Sequence, residues 1–303
     1  MDKQTISNVL HLSALGDGWG YTTEFVRFRS IAPHVAIPNP VIVSDDTQMA
    51  LAVIQGLSSN APGSTNELLS IADVFLRWMD DPDNNRAPGN TCMSALQHLS
   101  ATRDMENPFS GTVGHSKGCG ANMRAGWLGL LNREIIDIEE LAANQAKITH
   151  GHPVALESSA LTARAVWAIA RGDVVRGELV DYLLSSAQHP DVIEVLAKAQ
   201  HVTAAEIIDE NNDPCNYIGE AWVADEALAV SAKLFDVYDN PRDALHRAVR
   251  TTGDSDSIAC ITGSFVGAGI SDEWKSYFPN DTIVFEKRYE QELVEAVEKI
   301  DRH

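Results

Sequence analysis

The stretch Gly253-Asp254-Ser255-Asp256-Ser257 runs directly into Ile258, Ala259, Ile261, Thr262, Phe265, Val266 and Ala268. That apolar run reads as a helix buried closely against its neighbours. Burying a carboxylate without a partner is expensive, so two of them at the mouth of such a helix call for a counter-charge. A cation would supply it. The stretch Ser44-Asp45-Asp46-Thr47-Gln48-Met49 has the same character much earlier in the chain. The two stretches are therefore expected to meet around divalent metal. The spacing predicts a helix over 46–59 with Ser44 as its N-cap and Asp45 and Asp46 at the positive end of its dipole. Ser-Asp-Asp is equally how an ordinary capped helix begins.

Charge narrows the function classes. The 303 residues carry 23 Lys plus Arg against 43 Asp plus Glu, a formal net charge of -20. This argues against nucleic acid held on a broad basic face and against docking on an anionic membrane. Most of these carboxylates read as a solvated surface. The four cysteines, Cys92, Cys119, Cys215 and Cys260, form no CxxC pair. A thiolate zinc site is therefore not expected, and the thiols suit a reducing cytoplasm. The opening residues Met1-Asp2-Lys3-Gln4-Thr5 lack a basic-then-apolar signal pattern. No apolar run approaches the roughly 18 residues of a membrane span.

Helical periodicity dominates the chain. Ile6, Val9, Leu10, Leu12 and Leu15 give a first helix that is expected to stop at Gly16-Asp17-Gly18-Trp19-Gly20, where the glycines permit a turn. Tyr21 to Phe25 reads as a short helix, and Pro33, Pro38 and Pro40 mark a loop. Further helices are expected over Leu68–Met79, with Leu69, Ala72, Phe75, Leu76 and Met79 inward, over Thr91–Ala101 and over Ile138–His150. Another starts at Pro153, and others cover 175–187, 191–200, 220–235, 241–251 and 287–300. Only 40–43 and 282–285 look strand-like. With no internal repeat and no long linker, the expectation is one all-α domain over 1–303, a compact orthogonal bundle of about a dozen helices.

Gly114, Gly118 and Gly120 punctuate the stretch Gly114-His115-Ser116-Lys117-Gly118-Cys119-Gly120-Ala121-Asn122-Met123-Arg124. Without side chains there, backbone N–H groups can close on an anion, and a helix starting near Ala121 would add its positive end. The spacing fits neither a Walker loop nor a dinucleotide fingerprint, and a flexible connector has the same composition. His150 and His152 are candidate ligands or helix-end hydrogen-bonding residues.

In combination and order, these features resemble the ADP-ribosylglycohydrolase family. The resemblance rests on Gly16-Asp17 with Glu24, Ser44-Asp45-Asp46-Thr47, the Gly114–Arg124 loop and Gly253-Asp254-Ser255-Asp256-Ser257, with Thr149-His150 and Gly219–Leu228 in support. It spans about Ser7 to Gly269. It implies an all-α fold whose cleft holds two Mg²⁺ ions, and hydrolysis of the glycosidic bond linking ADP-ribose to an acceptor. The family's metal motifs fall on Ser44, Asp45 and Asp46 and on Asp254, Asp256 and Ser257, with Ser where Thr is more usual at 44 and 257. The movable glutamate matches Glu24, though the preceding loop reads Gly-Trp-Gly-Tyr-Thr-Thr instead of the more familiar small-residue and proline pattern. The diphosphate loop matches Gly114, His115, Ser116, Gly118, Cys119 and Gly120, and the adenosine-side histidine matches His150.

Oxygen-only ligands suit a hard cation, Mg²⁺ or Mn²⁺. Asp256 is the natural bridge between two of them. Cleavage at the ribose passes through an oxocarbenium-like state, and Glu24, Asp45 or Asp46 would take the proton of the attacking water. The expected partner is an ADP-ribosylated protein or other modified acceptor. Two further readings share these motifs: an immunity protein that blocks an ADP-ribosylating toxin by occlusion, and a metal-dependent phosphoester hydrolase.

Overall fold

The computed structural model describes residues 1–57, 64–102 and 106–303. Among them are thirteen α-helices: α1 (Lys3–Gly20), α2 (Asp45–Gly56), α3 (Thr65–Met79), α4 (Asn90–Thr102), α5 (Ile135–Lys147), α6 (Pro153–Arg171), α7 (Leu179–Ser186), α8 (Pro190–His201), α9 (Ala204–Ile208), α10 (Ala224–Val237), α11 (Pro241–Val249), α12 (Ser255–Ala268) and α13 (Lys287–Asp301). The expected all-α architecture is what forms. The two strand-like runs meet only in a single parallel bridge, Val41 with Phe285. One hydrophobic cluster runs from Ile6 on α1 to Ile300 on α13.

The central pair is α1 against α12. Gly16, Gly18 and Gly20 do not make the expected turn; α1 continues through all three. Their role is close approach. A methyl carbon on Gly16 would lie 2.1 Å from the carbonyl oxygen of Ala259, and one on Gly20 would lie 2.5 Å from that of Ser255. From the other side, a methyl carbon on Gly263 would meet the Leu12 carbonyl oxygen at 2.2 Å, and one on Gly267 the Asn8 carbonyl oxygen at 2.7 Å. Positions 20, 16, 12 and 8 thus face 255, 259, 263 and 267 in antiparallel register, one helical turn per step. Glycine is helix-weakening in isolation. Here it lets two backbones touch where any side chain would hold them apart.

Other boundaries differ for local reasons. Residues 21–25 form turns, and Phe25 has φ of 63°, which ends any helical continuation. The buried apolar residues of α3 are Leu68, Ile71, Ala72, Val74, Phe75 and Trp78, so Leu69, Leu76 and Met79 sit at the edge. The α2 helix closes at Gly56, and the last residues of the expected 46–59 span lie outside the described residues. No α-helix begins at Ala121; Cys119–Ala121 is a single 3₁₀ turn. The α5 helix starts at Ile135 and ends at Lys147, before His150. Pro153 opens α6 as expected, with His152 capping through its ring.

Replacing Gly263 by Ala should lower stability by about 1–3 kcal/mol through backbone displacement. Gly114→Ala, where a methyl carbon meets nothing within 4 Å, should stay within about 0.5 kcal/mol. Denaturant unfolding of the two variants checks this, and equal losses would refute the close-approach role of the seam.

Candidate active site

The α1–α12 seam brings Asp17, near the end of α1, beside Asp256 in the first turn of α12. The N-terminus of α2 closes the third side. Ser44 caps that helix, its hydroxyl accepting from the Asp46 N–H. Ligand oxygens of Asp17, Asp46 and Asp256 lie within 4.8 Å of one another, and so do those of Glu24, Asp254 and Asp256. Asp256 is common to both triads.

Asp17 is buried and accepts from the Ser44 N–H at 3.0 Å and the Ser44 hydroxyl at 2.6 Å. It also accepts from the backbone N–H and the hydroxyl of Thr47. It thus pins the start of α2 to α1. Because Asp17 takes the Ser44 proton and the Asp46 N–H uses one lone pair, the Ser44 oxygen keeps its other lone pair for a further partner. Asp17 is the main site residue that sequence reasoning passed over. Gly16-Asp17 stood out as a pattern, but nothing in it indicated a contact with Ser44 and Thr47.

A cleft of about 420 Å³ opens over these acids. Its lining includes Glu24, Asp45, Asp46, Asp254, Asp256 and Ser257 together with Gly118, Cys119, Gly120 and His150. Asp45 Oδ2 accepts from the Gly89 N–H at 3.0 Å, which ties the 87–90 loop to the acid floor. Of the anticipated anion loop, Gly118, Cys119 and Gly120 reach the cleft, whereas Gly114 and His115 are exposed outside its lining. Ser116 lies outside it too, its hydroxyl 3.0 Å from that of Thr91. Ser44 is buried behind Asp46, and His152 serves as the α6 cap.

The rim holds features with no signal in the sequence. Phe25 is 72% exposed and stacks on Trp222, ring centroids 5.7 Å apart. Among the described residues, Phe25, Ala87 and Ala221 are the non-glycine residues with positive φ, at 63°, 53° and 65°. Phe25 and Ala87 line the cleft, and Ala221 precedes the lining residue Trp222. Backbone strain of this kind persists only where surrounding structure over-determines it.

The electrostatics fit a cation. Burial, reinforced by the Asp256 charge, pushes Asp17 up to about 7 and Glu24 up to about 9. Asp45, Asp46 and Asp254 are driven well above the usual carboxylate range, chiefly by burial. Asp46 Oδ1 and Glu24 Oε2 are buried without a hydrogen-bond partner. Orphaned carboxylate oxygens in a set of hard oxygen donors are what a divalent cation would satisfy.

Because these carboxyls have higher pKa values folded than unfolded, the ion-free fold binds more protons than the unfolded chain. Its stability should therefore fall as pH rises from about 4 to about 9. Thermal melts in chelator at intervals across that range should show the decline. Added Mg²⁺ should raise the melting temperature most at the alkaline end. A Mg²⁺ increment that is the same at every pH would contradict this reading.

The ADP-ribosylglycohydrolase family profile matches residues 3–297. The ADP-ribosyl-[dinitrogen reductase] glycohydrolase of Rhodospirillum rubrum is 25% identical over 279 residues, covering 86% of this chain and 84% of that protein. A solved structure described as an ADP-ribosylglycohydrolase-related protein complex superposes with a TM-score of 0.74 at 20% identity, over 99% of this chain and 98% of that one, and so shares the fold. The toxin-occlusion reading gains no support from these relatives. With the profile matching nearly its whole length, this chain belongs to the ADP-ribosylglycohydrolase family, hydrolases of the glycosidic bond between ADP-ribose and an acceptor.

Proposed function

We propose that the protein removes ADP-ribose from modified protein side chains, with two Mg²⁺ ions, or Mn²⁺, held by Ser44, Asp45, Asp46, Asp254, Asp256 and Ser257. The observation that carries this reading is that Asp46 and Asp254 each belong to a carboxylate triad that includes Asp256, and all three line the cleft. One carboxylate shared by two clusters is the arrangement a bridged pair of cations requires. Asp17 supports it from behind by holding the Ser44 hydroxyl and the α2 N-terminus in place.

Bound cations would supply Lewis-acid orientation of the ribose hydroxyls and a lowered pKa for a nearby water. The chain's own groups do the rest. Gly118, Cys119 and Gly120 form the wall beside the acid floor, where the absence of bulky side chains leaves room for the diphosphate. Glu24, half-buried at the mouth, is the candidate to take a proton from water as the bond to the acceptor breaks, once bound cations offset the burial and neighbouring charge that raise its pKa. Asp45 and Asp46 are the alternative bases. Asp45 is braced by Gly89, whereas Asp46 keeps one oxygen free. The four free cysteines suit action in a reducing cytoplasm.

The test is release of ADP-ribose from a mono-ADP-ribosylated protein. Activity should require Mg²⁺ or Mn²⁺ and vanish in chelator. Asp256→Ala should lower kcat/KM by roughly 10²–10³-fold or more, the scale expected for losing a group that organises transition-state charge. Wild type and Asp256→Ala behaving alike on arginine-, serine- and cysteine-linked substrates would sink the proposal.

A further inference from the structure

Arg124 lies under the cleft wall, 1% exposed, with its guanidinium 4.5 Å from the Phe75 ring centroid. Its Nε donates to Gln145 Oε1 at 2.7 Å, and Nη2 donates to the Gln145 carbonyl at 3.1 Å and to Thr149 Oγ1 at 2.8 Å. Nη1 donates to the Gly120 carbonyl at 3.0 Å. None of these acceptors is charged, and the buried Asp45 carboxylate acts on Arg124 only through space. A buried cation hydrogen-bonded only to neutral acceptors keeps a field that also reaches the wall above it.

Thr149 passes the constraint on. Arginine has no lone pair, so the Thr149 oxygen must accept from it and its single proton must point elsewhere. His150 Nδ1 lies 2.8 Å away and the Ala146 carbonyl 3.3 Å away. A proton given to the nearer partner goes to the ring nitrogen, whereas one given to Ala146 would leave the second Thr149 lone pair to accept from Nδ1–H. An Nδ1 that accepts is unprotonated, which puts the proton of the neutral imidazole on Nε2. Burial, and secondarily the Arg124 charge, lowers the His150 pKa to about 3, so the ring stays neutral. A methyl carbon on Gly118 would sit 3.3 Å from Nε2, and His150 lines the cleft. The missing side chains let Gly118 and Gly120 pack close to that ring edge, and His150 is itself only 1% exposed.

We propose that Arg124 and Thr149 are positioning residues: together they hold His150 as an Nε2–H donor facing the diphosphate, with the Arg124 charge seated beneath the Gly118–Gly120 wall. This rests on the reading of ADP-ribose as the bound moiety. Nitrogen-15 NMR of the full chain tests the ring directly, and should show His150 with protonated Nε2 and bare Nδ1. Thr149→Val keeps the side-chain shape but deletes the proton. It should abolish that tautomer's dominance and weaken ADP-ribose binding about tenfold, while Mn²⁺ binding, followed by electron paramagnetic resonance, stays at the wild-type level. Thr149→Ser should restore both tautomer and affinity. A wild-type ring protonated on Nδ1, or Thr149→Val binding ADP-ribose as wild type does, overturns the relay. If the wild-type ring carries the Nε2 proton yet the protein does not bind ADP-ribose, the tautomer assignment stands. The ADP-ribose reading, and with it the role as diphosphate donor, then falls.

Discussion

The fold depends on two backbones being allowed to touch. Along the α1–α12 seam, Gly16 and Gly20 from one helix and Gly263 and Gly267 from the other remove the side chains that would separate them. The two helices lie antiparallel in a register that repeats every four residues. That register sets Asp17 level with the start of α12, and so beside Asp256. Were the seam a side chain wider, the triad of Asp17, Asp46 and Asp256 would open. The glycines that weaken α1 as an isolated helix are thus the ones that assemble the acid floor.

Around that floor the protein concentrates charge of one sign and arranges the opposite sign at a distance. Five buried aspartates and one half-buried glutamate crowd together, and burial raises every one of their pKa values. The nearby buried cation, Arg124, is bound to neutral acceptors beneath the adjoining wall. Under the proposed reading, the cleft has an acidic end for cations and a wall for the diphosphate. A sugar diphosphate that meets metal at its ribose and a cationic wall at its phosphates matches that polarity. The strained residues Phe25 and Ala87 sit on the cleft between and around these regions. Rigid helices supply the acids, and constrained loops supply the rim.

Much of this was legible in residue pattern. Three- and four-residue apolar steps located most helices, Pro153 marked the start of α6, and Ser44 before two aspartates located the start of α2. The acid motifs stood out because charge beside an apolar run is a conflict that needs a partner. Other features could not be read locally. Three glycines within five residues look like a turn, and only a neighbouring backbone at contact distance makes them a helix interface. Asp17 is one carboxylate among many until Ser44 and Thr47 are placed against it. The exposed Phe25–Trp222 stack joins residues far apart in sequence, with no periodicity to announce it.

The residue pattern alone thus determined the all-α class, the acid motifs and the resemblance to a family, because helix periodicity and the cost of burying charge are local properties of a chain. Tertiary structure decided which acids share a site, that Asp256 belongs to both triads, that Gly114 and His115 stay outside the cleft lining, and that Arg124 lies beneath its wall. Those outcomes depend on distances between helices, and such distances are set by packing between residues distant in sequence.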